Sequence, residues 1–303
     1  MQRNTIHFIG IGGYCSGAGF LYRYVHEHPK TCVIKKATNF FSNNRKFIKG
    51  YTWYESNFKG CGKGKVLGEC VTDYLYAPES AKRISELYPN VKLLAVVCNP
   101  IERLVCEYNR AKKMQVIQDD VDIVTYIESN PDCMTRGLFG KQLDEYFKYY
   151  SSLQLMVCVH EDRYDDPVDY VKKVYEFLEI DTNFISKDLR GFVSGDEYGD
   201  FRPLWLKILL KVTLPLKWLG IFKLFKFLHE KIFKQIKVYL QRKGMFQSSK
   251  ESLNTENKNL IDKRPIDEEL YSVLCEYYEP DVRKLSQILH RDMNSEWGIE
   301  KTT

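Results

Sequence analysis

The chain has 303 residues, 44% of them hydrophobic and 28% charged, with a net charge of +5 and nine cysteines. This length can bury one large core or two small ones, and the ordinary apolar and charged fractions exclude a disordered or collagen-like chain. The odd cysteine count, without the spacing of a secreted framework, reads as mostly reduced thiols, and Met1-Gln2-Arg3-Asn4 runs into the first strand with no apolar leader. Both features are expected of a cytosolic protein.

Phe8 to Leu21 is an apolar run that breaks into a glycine-rich turn and resumes with helical spacing, the pattern of strand, loop and helix. Such a loop can point successive N–H groups at one anion, helped by the partial positive charge of the following helix. It carries no lysine or arginine, so the alternative is a turn that only closes a βα unit. Phe20 to His28 is a helix stopped by Pro29, and Val33-Ile34 a short buried strand. The stretch from Gly50 to Phe58 is aromatic, with Trp53 and Tyr54 either lining a polar-ligand cleft or filling the core.

Pro78 to Tyr88 is a short amphipathic helix. The continuous apolar run Lys92 to Cys98 is a strand of the kind buried on both faces of a parallel sheet, followed by a helix that begins at Asn99-Pro100 and carries Glu102, Arg103, Cys106 and Tyr108. Strand ends of this kind are where open α/β sheets bind ligands. Glu102 and Arg103 read as a structural ion pair. Thr125 to Asn130 and Gly140 to Tyr150 are helical, and Leu153 to His160 is a second buried strand leading to a helix capped by Asp166-Pro167. His160 reads as a satisfied core histidine in preference to a base. The order of strands and helices predicts an α/β domain built on a parallel sheet flanked by helices.

From Phe201 to Phe246 eleven Lys or Arg residues face one acid, Glu230, among many Leu, Ile, Phe and Trp residues. This composition suits a basic amphipathic helical arm, too charged to span a bilayer; it either lies on an anionic membrane or packs on the domain. Residues 247–259 form a polar linker, and Glu268 to Leu289 a last helix. The whole of 1–303 is expected to be one domain carrying this insertion.

Several segments together resemble the sulfotransferases that use 3′-phosphoadenosine 5′-phosphosulfate (PAPS), in particular the heparan and carbohydrate type and bacterial relatives. They are Phe8-Ile9-Gly10 with Ser16-Gly17 and His28-Pro29, Phe40-Phe41, Gly50 with Trp53-Tyr54, Gly68-Glu69 with Tyr74-Leu75, Asn99-Pro100-Ile101-Glu102-Arg103 with Tyr108, Arg136-Gly137 with Gln142-Leu143, Glu161-Asp162 with Asp166-Pro167, and Tyr278-Glu279-Pro280 with Trp297. The resemblance implies a P-loop-like sheet and in-line transfer of a sulfuryl group from PAPS to a hydroxyl or amine of a glycan or lipid-linked glycan. It implies a nucleotide site at Cys15, Ser16, Gly17, Ala18, Gly19, Cys98, Arg103, Cys106, Lys263 and Arg264, an acceptor site at Trp53, Tyr54 and Glu69, and Lys36 as the remaining catalytic lysine. No metal and no nucleic-acid partner is expected.

The chain departs from the family pattern at the charged positions. Cys15 stands for the loop lysine, Ala18 and Gly19 for hydroxyl residues, Ala37 or Asn39 for the base, Cys70 for the lysine after Gly-Glu, and Cys98 and Cys106 for the arginine and serine that grip the 3′-phosphate. A charge-assisted hydrogen bond contributes about 1.5–3 kcal/mol, so four missing contacts forfeit about 6 kcal/mol or more, at least roughly four decades of affinity, unless other groups take over. Cys15, Cys70, Cys98 and Cys106 are then either small apolar filler or a soft-metal cluster. The alternative function is an inactive homologue that binds a glycan, a membrane or a partner through the cleft around Trp53-Tyr54 and the basic arm.

Overall fold

The computed structural model describes residues 6–34, 36–186, 189 and 266–300. They belong to one compact unit made of Met1–Val193 and Arg264–Thr303. A second unit, Ser194–Lys263, lies outside the described residues, and with it the predicted arm 201–246, the linker 247–259 and Lys263; Arg264 is also outside them.

The elements run β1 (Phe8–Gly12), α1 (Ala18–Glu27), β2 (Thr31–Val33), α2 (Asn44–Phe47), α3 (Gly50–Ser56), β3 (Val66–Cys70), α4 (Ser80–Leu87), β4 (Lys92–Val97) and α5 (Pro100–Lys113). There follow α6 (Ile123–Ser129), α7 (Asp132–Thr135), α8 (Phe139–Phe147), β5 (Leu155–Val159), a 3-10 turn (His160–Tyr164), α9 (Pro167–Phe177), α10 (Glu268–Leu289) and α11 (Met293–Trp297). The strands form one sheet in the order β2-β3-β1-β4-β5, every pair parallel. Phe8 lies opposite both Gly68 and Lys92, and Leu93 to Val97 pair with Leu155 to Val159. The expected α/β architecture is therefore present.

On one face of the sheet α1 and α9 bury Leu21, Tyr24, Val25, Val171, Val174 and Tyr175 against Phe8, Leu94 and Val96. The successive side chains of β1 and β4 alternate across the sheet, yet all of them except Lys92 are buried, because helices cover both sides. On α10, Asp281 accepts from the Gly140 and Lys141 N–H groups at 2.8 Å each, capping α8 across 140 residues of chain.

Strand β3 is the element the sequence hides, since Val66-Leu67-Gly68-Glu69-Cys70 puts a glycine and an acid inside a central strand. Each has a local cause. The ring of Phe8 lies against Gly68, where a Cβ would stand 2.4 Å from Phe8 Cε1, so only glycine lets the ring close on the sheet. Glu69 is fully buried but hydrogen-bonded, as described below. The aromatic stretch after Gly50 is helix α3, and Cys32 and Cys61 are joined by a disulfide while the other seven cysteines are free. The bond ties the turn after α3 to β2 over a separation of 29 residues, which stabilises the fold by about 3.6 kcal/mol on the loop-entropy account. Seven free cysteines of nine agree with the mostly-thiol reading, and this pair is the exception to it.

Candidate active site

Because all five strands are parallel, the residues that follow them share one edge of the sheet. Lys36 follows β2, Cys70 ends β3, the glycine loop follows β1, Cys98 follows β4 and His160 follows β5.

The loop, Gly13 to Gly17, closes on itself. The Gly13 N–H donates to Val96 O at 2.8 Å and to Ser16 Oγ at 3.0 Å, and the Ser16 hydroxyl donates back to Gly13 O at 2.8 Å. Ser16 is 1% exposed, so its side chain shapes the loop from within. The Tyr22 hydroxyl accepts from the Gly12 N–H at 2.9 Å, pinning the loop to α1. Cys15 and Gly17 both have positive φ, 55° and 74°, and Gly17 opens α1 without a side-chain cap. The N–H groups of Tyr14, Cys15, Gly17, Ala18 and Gly19 make no hydrogen bond among the described residues. Five such donors at one turn and one helix start could together receive an anion.

What presses on that loop is His160. A Cβ on Gly17 would fall 1.7 Å from His160 Cε1 and 1.9 Å from Nδ1. Glycine at position 17 is thus required twice, by the left-handed φ and by the imidazole lying on its Cα. His160 Nδ1 is buried without a hydrogen-bond partner among the described residues, which corrects the reading of a satisfied core histidine. Burial, with Arg163 adding to it, pushes the imidazole down to about 3.

Cations flank the loop from other elements. The ring of Tyr14 lies near both Arg110 of α5, 5.9 Å from its centroid, and Arg136 after α7, at 5.5 Å. The sequence alone does not bring Arg110 and Arg136 together, because their meeting at Tyr14 depends on tertiary contacts. Arg103 does not join them. It is 1% exposed, with Nη1 on Glu107 Oε2 at 2.6 Å and Nη2 donating to Cys133 O. Its partner is Glu107 and not the expected Glu102, since residues four apart face each other on a helix. Arg103 therefore braces α5 and α7 from beneath, and the expected direct phosphate contact is corrected.

Three of the four cysteines meet at the loop. The Cys15 thiol hydrogen-bonds the Cys106 side chain, and that contact together with burial pushes it well up; Cys98 Sγ lies 4.0 Å from Cys15 O, and burial pushes its thiol up as well. Cys70 stands apart, next to Gly10 and Tyr22. Among the described residues no group of three or more His, Cys, Asp or Glu side chains is placed to hold a metal ion.

The expected acceptor residues divide. Glu69 and Tyr54 are both 0% exposed and cannot touch a glycan, which corrects their assignment. Glu69 accepts from Thr38 Oγ1 and from the Tyr74 hydroxyl, each at 2.7 Å; burial pushes its carboxyl up against these bonds, which favour the charged form. The network fastens the segment after β2 to β3. Tyr54 stacks on Phe40 at 4.8 Å inside an aromatic core. Trp53 is partly exposed, with Lys49 Nζ 4.7 Å from its ring centroid, and Lys36 is exposed.

Comparison with known proteins matches this arrangement. Residues 11–193, which contain the loop, the strand ends and the β5 turn, match the sulfotransferase domain family. Mouse heparan sulfate glucosamine 3-O-sulfotransferase 3B1 is 23% identical over 194 residues, covering 60% of this chain and 49% of that protein. The membrane-associated sulfotransferase kil1 of Dictyostelium discoideum is 29% identical over 106 residues, 34% of this chain and 22% of that protein. The chain thus spans about half the length, or less, of these relatives. The crystal structure of a sulfotransferase from Alicyclobacillus acidocaldarius shares the fold, with a TM-score of 0.65 at 17% identity and coverage of 97% of this chain and 99% of that one. The glycine loop at the head of α1 lies inside the matched domain, and the chain belongs to the sulfotransferase family.

Proposed function

We propose that the protein transfers a sulfuryl group from PAPS to a hydroxyl or amine of a glycan. The observation that carries this reading is the set of five N–H groups between Tyr14 and Gly19 that make no hydrogen bond among the described residues, at the C-terminal edge of a parallel sheet in a sulfotransferase-family chain. These amides would hold the 5′-phosphosulfate. Arg110 and Arg136 would supply charge beside it, Lys36 is the lysine left to meet the leaving phosphate, and Trp53 offers a ring face to a sugar. In the reaction the acceptor oxygen or nitrogen bonds to sulfur as the bond from sulfur to the phosphate oxygen breaks. The desulfated nucleotide, 3′-phosphoadenosine 5′-phosphate (PAP), leaves, and the acceptor proton passes to solvent or a base. Relatives named as heparan sulfate sulfotransferases support a glycan acceptor. The basic composition of 201–246 supports an anionic membrane surface as a further partner.

The test is incubation of the full chain with sulfur-35-labelled PAPS and desulfated heparan-type chains. Label in the glycan, with one PAP released per sulfate, is the expected result. PAP binding without any transfer would instead establish the inactive, ligand-binding homologue, to which Cys15 in place of a loop lysine points.

A further inference from the structure

The loop lacks its own cation, and the turn after β5 places two basic side chains close by. His160 covers Gly17, and its Nδ1 has no hydrogen-bond partner among the described residues. Arg163 is 5% exposed and pairs with no carboxylate among the described residues; its guanidinium lies between the rings of Phe20, at 5.1 Å, and Tyr164, at 4.6 Å, donates to the Tyr164 hydroxyl at 2.7 Å, and leaves Nε without a partner. A buried guanidinium with no carboxylate in ion-pair contact among the described residues, and only the more distant Glu161 charge to offset it, is costly, and so is an orphaned ring nitrogen; an anion bound at the head of α1 would relieve both.

We propose that His160 is the proton-accepting contact of this anion site. When the phosphate end of the nucleotide settles on the loop amides, Nδ1 takes a proton from solvent and donates it in a hydrogen bond to a phosphate oxygen, supplying the charge that Cys15 does not. The inference rests on the nucleotide reading above. In the free protein the imidazole is neutral throughout the physiological range, because burial and Arg163 oppose its protonation. The other groups that face it do not reverse this. On its own turn, Glu161 accepts from the Asn99 N–H and burial pushes its carboxyl up, while Asp162 is bonded to Arg291 from the segment after α10. From the loop and β4 come the thiols of Cys15 and Cys98, both pushed up and so uncharged. A dianionic phosphate in contact with the ring reverses the balance, since an adjacent opposite charge favours the protonated form.

The experiment is calorimetric titration of the full chain with PAP at pH 6 and pH 8, each in two buffers of different ionisation enthalpy, for the wild type and His160→Asn. The phosphate's own ionisation affects both proteins alike, so the informative quantity is their ratio. The wild type is expected to take up a proton on binding at pH 6, and its affinity advantage over the variant to be at least roughly threefold larger at pH 6 than at pH 8. In the wild type alone, the His160 ring resonance should titrate well above about 3 once PAP is saturating. Equal proton uptake in both proteins, or a ring midpoint unmoved by PAP, overturns the proposal while leaving the nucleotide reading intact. Absence of PAP binding to the wild type overturns both.

Discussion

Replacing Glu107 with alanine is expected to destabilise the protein by about 3–5 kcal/mol, the cost of leaving a buried charge without its partner. Glu107 is 4% exposed and sits between two guanidiniums: Arg103 Nη1 at 2.6 Å and Arg136 Nη1 at 2.5 Å. The Tyr126 hydroxyl approaches the same carboxylate at 3.4 Å. Burial pulls the Arg103 pKa down, and Tyr278 and Glu107 more than offset this, so Arg103 stays charged in the core. Arg136 then carries the network outward to the rings of Tyr14 and Tyr76, which links core stability to the loop. Chemical denaturation of Glu107→Ala, Glu107→Gln and the double variant Arg103→Met/Glu107→Leu checks the argument. Both single variants should lose several kcal/mol, whereas the double variant, which removes both buried charges, should lose much less. Equal losses in all three would show that the site depends on shape and not on charge pairing.

The second large effect is expected at Gly17. Alanine there pays for a left-handed φ, about 1–2 kcal/mol, and also drives its Cβ into the His160 ring, an overpacking cost of about 1–3 kcal/mol. The loop must shift, so Gly17→Ala should lower stability by roughly 3 kcal/mol and abolish PAP binding measured by calorimetry. Adding His160→Gly should return the steric part of the stability loss and leave the backbone part, a non-additivity read directly from the double-mutant cycle. Additive losses would mean that the imidazole does not lie on the glycine.

The parallel sheet and the loop were legible because strand, glycine turn and helix follow one another within fourteen residues, from Phe8 to Leu21, and because β4 and β5 are continuous apolar runs. Strand β3 was not, since the reasons for its glycine and its acid lie in Phe8 and in Thr38 and Tyr74, which only the fold brings near. The same holds for the site. Cys15 and Gly17 could be placed from local pattern. The flanking of Tyr14 by Arg110 and Arg136 could not, and neither could the seat of His160, because each joins segments from different strands. Residue type misled at Glu69, Tyr54 and Arg103: a polar or aromatic side chain near a ligand-binding edge reads as a contact, yet burial assigns all three to the support beneath it.

The most direct test of the account is backbone amide spectroscopy of the full chain as PAP is added. The N–H resonances of Tyr14, Cys15, Gly17, Ala18 and Gly19, free of hydrogen bonds among the described residues, should move downfield together and saturate at one nucleotide per chain. Saturable shifts confined to other segments, or no shift at millimolar PAP, would contradict it.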